Sequence, residues 1–163
     1  MKSTRTRTRD NSSIRNTVVI PDFCPHAGGS VLFSMGNTKV ICAATISQDV
    51  PDHAKQRNEG WLSAEYTMLP YSTLARKKRE IGKRDGRSVE IQRLIGRALR
   101  AGIDLSMIPE YSVYIDCDVL QADGGTRTAS ITGGYIAMKL AFSRLLEQGI
   151  IASNPVKTNV AAI

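Results

Sequence analysis

The sequence predicts a mixed α/β domain in which helices pack as a layer on a sheet. Three observations support this fold class. Apolar runs with strand character occupy the first half of the chain. In the second half the apolar spacing becomes that of a helix in two separate places. A run of strict apolar–polar alternation separates the two helical stripes, so the predicted order is strands, helix, strand, helix, strand.

The strands of the first half are recognised by their apolar runs and by the turn residues between them. Gly36 and Asn37 form a tight-turn signal between two of these runs. The run after that turn is apolar on both faces, which predicts a central strand, and Pro70 ends the last run. The predicted segments are an extended stretch from residues 18–20 and strands at residues 30–35, 38–46 and 60–69.

Two stripes of apolar residues at helical spacing predict the helices. The first stripe consists of Ile91, Leu94, Ile95, Ala98 and Leu99. The second stripe consists of Ile131, Tyr135, Met138, Phe142 and Leu145. Asp85 or Ser88 is predicted to cap the start of the first helix, and Gly149 is an end signal for the second.

A strand is predicted between the helices and another after them. Val113, Ile115, Cys117 and Val119 alternate with polar residues, and a glycine-containing loop at residues 121–125 follows. The run 159–163 has strand character and the sequence stops inside it. We therefore expect a domain over residues 15–163 that is incomplete at its C-terminus.

Composition indicates a folded protein of one domain. The chain has 163 residues, with 42% hydrophobic and 23% charged. No apolar run is long enough to cross a bilayer, and the N-terminus lacks the apolar core of a signal peptide. The three cysteines are odd in number and far apart, which favours reduced thiols over disulfides or metal ligands. These features predict a cytoplasmic protein with no membrane partner, and residues 1–14 are expected to form a flexible basic tail.

The net charge of +7 favours polyanionic partners such as RNA. Positive charge is concentrated in two places, the N-terminal tail and the segment 76–87. The strongest RNA-binding candidates are Arg76, Lys77, Lys78 and Arg79. A solvated loop is the alternative interpretation. Tyr71 precedes the arginines and is the aromatic residue best placed to stack on a base, whereas Trp61 and Tyr66 are expected to pack in or beside the sheet.

The residues 123–130 predict an anion site. Gly124 and Gly125 permit a close approach to the backbone, and a helix start with free N–H groups follows at once. Thr126 adds a hydroxyl and Arg127 a planar double donor, a combination suited to phosphate. Arg87 also lies at a helix start and faces the same anion if the two starts converge. A plain helix cap after a flexible loop is the alternative.

The acidic residues carry a weaker signal. Asp116 and Asp118 share a strand face and Asp123 is nearby, so they are candidates for Mg²⁺ binding or proton transfer. Charge partners for basic helices are the favoured interpretation. His26 and His53 lie in loops without metal spacing, and no chemistry is assigned to them.

Several of these motifs together resemble the ribonuclease PH family. The matching stretches are residues 60–61 (Gly-Trp), 64–66 (Ala-Glu-Tyr), 68–70 (Met-Leu-Pro), 90–97 (EIQRLIGR) and 115–133 (IDCDVLQADGGTRTASITG). The last stretch is long and specific, and the resemblance covers roughly residues 26–163.

The resemblance implies a β-β-β-α-β-α domain like one in a ribosomal protein, assembled as a ring of six subunits. It also implies phosphorolysis, in which inorganic phosphate attacks the terminal 3′ linkage of RNA, with Mg²⁺ assistance. The implied substrates are the 3′ ends of transfer RNA precursors, with ribosomal RNA as a further one. By resemblance, phosphate is bound by Arg87 and by the loop residues Gly125, Thr126 and Arg127.

The chain departs from the family pattern at several positions. Asp85 stands at a usual glycine and Ser88 at a usual threonine, while Tyr71 and Leu74 replace a usual arginine and histidine.

The resemblance places the catalytic and metal-binding aspartates of the family beyond Ile163, the last residue of the sequence. Neither catalytic residues nor metal ligands are therefore assigned within the chain. We expect that the isolated chain does not phosphorolyse RNA at a useful rate, because loss of the metal site costs several orders of magnitude in rate. The alternative function is a catalytically inactive remnant that binds RNA or assembles into the ring.

Overall fold

The computed structural model describes residue 10 and residues 13–82 and 85–163. Its strands are β1 (Thr17–Pro21), β2 (Gly29–Met35), β3 (Thr38–Ser47), β4 (Trp61–Met68) and β5 (Ser112–Gln121), and its helices are α1 (Asp52–Lys55), α2 (Gly86–Ala101) and α3 (Thr126–Glu147). Some of the predicted basic residues lie outside the described residues, namely Lys2, Arg5, Arg7, Arg9, Lys83 and Arg84.

The five described strands form one sheet in the order β1-β2-β3-β5-β4. The β2–β3 turn contains Gly36 at a φ of 60°, a left-handed conformation that suits a tight hairpin. β3 pairs with β2 on one side and with β5 on the other, which confirms the prediction of a central strand. The mixed α/β fold class is confirmed as well.

The pairing of β4 with β5 is parallel, whereas the other described pairs are antiparallel. Parallel neighbours require a crossover, and α2 provides it. Because the carboxyl ends of parallel strands lie at the same edge of the sheet, the chain leaves β4 and β5 at the same edge. α3 follows β5 after a four-residue loop, and α2 follows β4 after a longer loop. Both helices therefore begin near this edge.

The two long helices cover one face of the sheet. α3 packs against β2 and β3, and α2 packs against β4. Glycines in α3 permit a close approach, since a Cβ at Gly133 would lie 2.7 Å from the Sγ of Cys42 and 3.0 Å from the Cβ of Phe33. The core that results is made of the alternate residues of the strands and the apolar stripes of both helices.

The prediction of a strand at residues 159–163 is wrong. The backbone N–H of Ala162 donates to the Oγ1 of Thr132, and the same hydroxyl donates to the carbonyl of Ala162, both at 2.9 Å. The Tyr135 hydroxyl donates to the Oδ1 of Asn159 at 2.7 Å. The segment thus lies along α3 and bonds with its side chains rather than with a strand.

Two short elements were not predicted from the apolar spacing. They are α1 and a single 3₁₀ turn at Leu105–Met107, whose start is capped by the side chain of Asp104. Each is too short to show a helical period. Among the described residues there is no helix long and apolar enough to cross a membrane.

Replacing Gly133 by alanine tests the packing of α3. We expect Gly133→Ala to lower the free energy of unfolding by about 1–3 kcal/mol, because the added methyl group meets Cys42 and Phe33. Gly86→Ala is the matched control, since a Cβ at that exposed helix start meets nothing within 4 Å. Urea denaturation measures both variants, and equal stabilities would contradict this account of the α3 packing.

Candidate phosphate and RNA site

The start of α3 is open on its N-terminal side. Gly124 and Gly125 have φ angles of 80° and 69°, and Gly125 is the N-cap residue without a side-chain capping bond. The first N–H groups of the helix have no intrahelical partner, and the helix dipole places partial positive charge at this end. The arrangement leaves main-chain donors available to an anion.

The loop before α3 is held by hydrogen bonds from residues near the start of the chain. The Thr38 hydroxyl donates to the carbonyl of Gly124 at 2.6 Å and accepts from the N–H of Asp123 at 3.0 Å. The Nη1 of Arg15 donates to the carbonyls of Asp123 and Gly124 at 3.1 and 3.0 Å. The Asp123 side chain accepts from the side-chain amide of Asn37 at 3.2 Å. The loop conformation is therefore fixed by residues close to β1 and by the β2–β3 turn.

The start of α2 is capped by carboxylates. Of the two predicted caps, Asp85 accepts from the N–H of Arg87 at 3.3 Å. Glu80 accepts from the N–H of Asp85 at 3.3 Å and from the Ser88 hydroxyl at 2.7 Å. Carboxylates therefore occupy donors at this helix start, whereas the Arg87 side chain is exposed.

The two helix starts converge around Tyr66. The buried Tyr66 hydroxyl donates to the Oγ1 of Thr126 at 2.9 Å. Arg127 forms a bidentate ion pair with Glu90 of α2, with Nη1 to Oε1 at 2.9 Å and Nη2 to Oε2 at 3.3 Å. Burial raises the pKa of Tyr66, while the hydrogen bond to Thr126 and the positive charges of Arg87 and Arg127 oppose that rise. The positive charges of Arg87 and Arg127 thus both lower the pKa of the Tyr66 hydroxyl.

The predicted RNA-binding residues follow β4 in the loop that leads to α2. Arg76, Lys78 and Arg79 are exposed, and Lys77 is half-buried, with its backbone N–H donating to the carbonyl of Pro70 at 2.9 Å. The loop borders an open hollow of about 520 Å³. This hollow is lined by Pro70, Tyr71, Thr73, Leu74, Arg76 and Arg79.

The loop that joins β4 to α2, here called the basic loop, lies beside the loop that joins β5 to α3, here called the glycine loop. The N–H of Ala122 donates to the carbonyl of Ser72 at 2.8 Å, which joins the start of one loop to the start of the other. Tyr71 is 67% exposed, in contrast to Tyr66, which is buried at 3%. The structure therefore leaves Tyr71 accessible to a ligand and places Tyr66 in the core, as the sequence predicted for both.

Asp116 and Asp118 lie with Glu65 on the sheet face opposite the helices, whereas Asp123 lies in the loop before α3. Glu65 pairs with Asp116 and Thr67 with Asp118 across the β4–β5 ladder. The acidic side chains border a hollow of about 360 Å³ together with Glu80. Burial raises the pKa of Asp118, and the negative charge of Glu65 raises it further.

The expected place of the catalytic and metal-binding aspartates, beyond Ile163, stays a prediction. Ile163 is the last residue of the sequence, and its side chain is 82% exposed. Within the described residues no group of three or more His, Cys, Asp or Glu side chains is arranged to hold a metal ion.

Several residues that shape this site were not identified from the sequence. Arg15 and Thr38 bind the glycine loop, Glu90 binds Arg127, and Glu80 caps α2. Each lies far in sequence from the loop it contacts or has an ordinary surface pattern. The long stretch from residue 115 to residue 133 was the signal that marked the loop itself.

Comparison with known proteins gives consistent matches. Residues 13–154 match the model of the 3′ exoribonuclease family, domain 1. The chain is 51% identical over 157 residues to ribonuclease PH of Neisseria meningitidis and 52% identical over 157 residues to ribonuclease PH of Cereibacter sphaeroides. These alignments include 95% of the chain but only 65% and 66% of the two relatives.

Solved structures share the fold at low sequence identity. Rice Rrp46 superposes with a TM-score of 0.70 at 16% identity, covering 84% of this chain and 61% of that one. A chain of the Archaeoglobus fulgidus exosome with RNA bound to the active site also gives a TM-score of 0.70, at 21% identity. The superposition covers 93% of this chain and 59% of the exosome chain.

The raised pKa of Asp118 predicts a pH-dependent effect of Asp118→Asn. The carboxyl group has a higher pKa in the folded state, so its ionisation disfavours folding once the pH exceeds the unfolded value of about 3.9. The asparagine variant is therefore expected to be more stable than the wild type at pH 7, with the gain disappearing below about pH 4.

Asp104→Asn is the control of opposite sign. Hydrogen bonds from Ser106 lower the pKa of Asp104, so this variant is expected to lose stability at pH 7 relative to low pH. Denaturant midpoints at about pH 3 and pH 7 measure both effects. A loss of stability for Asp118→Asn that does not change with pH would contradict the assignment.

Proposed function

The chain belongs to the 3′ exoribonuclease family, and on that premise we propose that it acts as a phosphate-dependent 3′-to-5′ exoribonuclease. The observation that carries the proposal is the convergence of two helix starts, one with Arg87 and the other with Arg127, which the Arg127–Glu90 pair joins beside an uncapped glycine loop. Such a site suits an anion small enough to be held by main-chain N–H groups and guanidinium groups together. Inorganic phosphate is the anion that phosphorolysis requires.

In the proposed reaction, an oxygen of inorganic phosphate attacks the phosphorus of the last phosphodiester of RNA. The bond from that phosphorus to the 3′ oxygen of the preceding nucleotide breaks, and a nucleoside diphosphate leaves. Nucleophile and substrate are both anionic, so positive charge that holds the phosphate also reduces their repulsion. Arg87, Arg127 and the N–H groups after Gly124 would supply that charge and orient the attacking oxygen.

The strength of each arginine contact sets the scale of the expected effects. A hydrogen bond to a charged group contributes about 1.5–3 kcal/mol. Arg127 is already paired with Glu90, so a bound phosphate has to share or displace that partner. Arg87 has no such pair among the described residues and is the more available of the two charges.

The basic loop after β4 is proposed to guide the 3′ end of RNA to the phosphate. Its exposed cations Arg76, Lys78 and Arg79 lie on the segment joined to the glycine loop through Ser72 and Ala122. Cations neutralise the RNA backbone, and the exposed ring of Tyr71 offers a stacking surface for a base.

The finer assignments rest on the family resemblance. It implies transfer RNA 3′ ends as substrates, with ribosomal RNA as a further one, and the relatives' name, ribonuclease PH, supports an enzyme that cleaves RNA. Assembly with further copies of the chain into a hexameric ring is proposed on the same family resemblance. Cytoplasmic localisation and use of Mg²⁺ are likewise proposals. When bound, Mg²⁺ would offset charge on the reacting oxygens, and no step is assigned to it on the described residues.

Product identity tests the proposed reaction. RNA labelled in its 3′-terminal nucleotide is incubated with the chain and Mg²⁺, with and without phosphate, because the label detects a slow reaction. We expect labelled nucleoside diphosphate only when phosphate is present, and at least about a tenfold decrease for Arg127→Gln, from the loss of a charge-assisted contact. Arg93→Gln, an exposed site further along α2, is the matched control and should react like the wild type. Phosphate-independent release of nucleoside monophosphate would show hydrolysis and refute the proposal.

Salt dependence of RNA affinity tests the basic loop. The logarithm of the affinity for single-stranded RNA falls linearly with the logarithm of the salt concentration. Replacing Arg76, Lys78 and Arg79 by glutamine should reduce the magnitude of this slope by up to about 2, since each phosphate contact contributes about 0.7. The same number of charges is removed in the control, which replaces the exposed Arg93, Arg97 and Lys139. Fluorescence anisotropy at several salt concentrations measures both. A slope that changes equally in the two triple variants would leave the loop without specific phosphate contacts.

A further inference from the structure

Arg15 reaches the glycine loop from 108 residues away along the chain. Its Nη1 donates to the carbonyl of Asp123 at 3.1 Å and to the carbonyl of Gly124 at 3.0 Å. The carbonyl of Gly124 also accepts from the Thr38 hydroxyl at 2.6 Å. Two successive carbonyls of the loop therefore point toward the same side, where β1 and the β2–β3 turn lie.

The direction of these carbonyls fixes the direction of the adjacent N–H groups. A trans peptide is planar, and its N–H points opposite to its C=O. The carbonyl of Asp123 shares a peptide with the N–H of Gly124, and the carbonyl of Gly124 shares one with the N–H of Gly125. Both N–H groups consequently point away from Arg15. No described residue accepts a hydrogen bond from either of them.

We propose that Arg15 is a positioning residue that aims the N–H groups of Gly124 and Gly125 at the attacking phosphate. The inference rests on the proposed function, since it assumes that phosphate binds beside this loop. Arg15 acts through the two peptide planes, and its own guanidinium group is engaged with carbonyls.

The packing around Arg15 supports a fixed orientation. Its Nη2 occupies the space that a Cβ at position 125 would take. A Cβ added at Gly36 would lie 3.2 Å from the Cδ of Arg15. Gly36 and Gly125 both have positive φ angles, a backbone conformation that only glycine adopts without strain. The Arg15 side chain lies between these two backbone segments. The guanidinium is thus confined between the hairpin turn and the glycine loop.

An arginine is suited to this position for a chemical reason. A guanidinium group is planar and presents several N–H donors in a fixed fork, whereas a lysine ammonium group is a flexible point charge. Two neighbouring carbonyls demand donors of fixed direction. Arg15→Lys therefore separates the loss of the fork from the loss of charge, and Arg15→Gln removes both.

The test is a titration with inorganic phosphate followed by ¹H–¹⁵N correlation spectra of the full chain. In the wild type we expect the amide resonances of Gly124 and Gly125 to shift and to saturate. In Arg15→Gln and Arg15→Lys the shifts of these two amides should be lost or much reduced, and phosphate affinity should fall about tenfold or more. Arg93→Gln removes the same charge from an exposed site on α2 and should behave like the wild type. Thermal unfolding of each variant checks that the fold is retained.

The possible results separate the inference from the proposed function. If phosphate shifts no loop amide in the wild type, the phosphate site is wrong and the role of Arg15 falls with it. If phosphate binds the wild type but Arg15→Lys keeps both the affinity and the two amide shifts, the site stands and Arg15 contributes charge alone, which overturns the positioning role. Loss of the shifts in Arg15→Lys at unchanged thermal stability supports the inference.

If both Arg15 variants unfold, Thr38→Val replaces them, because it removes the other bond to the Gly124 carbonyl. Undiminished shifts of the Gly124 and Gly125 amides in Thr38→Val would contradict carbonyl anchoring of the loop.

Discussion

The parallel pairing of β4 with β5 is the constraint on which the candidate site depends. Eight residue pairs, from Trp61 with Ser112 to Met68 with Val119, hold the two strands in this register. Parallel strands leave the sheet at the same edge, so the segments that follow them start close together. One of these segments leads into α2 and the other into α3. The topology therefore places the two helix starts and the arginines Arg87 and Arg127 on the same side of the molecule.

Packing maintains this arrangement. The buried faces of both helices lie on the sheet, and the small residues of α3 let its backbone approach Phe33 and Cys42. Tyr66 then joins the core to the site, because its ring is buried while its hydroxyl reaches Thr126. The Arg127–Glu90 pair adds a direct link between the helices. Its side chains are 38% and 59% exposed, so solvent screening leaves it a small contribution to stability. The pair holds the guanidinium group of Arg127 against Glu90 of α2.

The sequence identified the parts of the fold that have a local period and missed the parts that are long-range. The stripes from Ile91 to Leu99 and from Ile131 to Leu145 predicted both long helices, because amphipathic spacing is a property of neighbouring residues. Bonds such as Arg127–Glu90, Tyr66–Thr126 and Arg15–Asp123 join residues 37, 60 and 108 positions apart, so no local pattern reveals them. The segment 159–163 has the composition of a strand, yet the Thr132 hydroxyl binds both polar groups of Ala162, which is a tertiary effect.

A double-mutant cycle on phosphate affinity tests most directly whether the two helix starts form one anion site. Calorimetry would give the affinities of the wild type, Arg87→Gln, Arg127→Gln and the double variant for inorganic phosphate. If both side chains contact one phosphate, the losses should be non-additive, with an interaction energy of about 0.5–3 kcal/mol. Losses that add within about 0.3–0.5 kcal/mol would mean that Arg87 and Arg127 act at separate places, and would contradict the shared site.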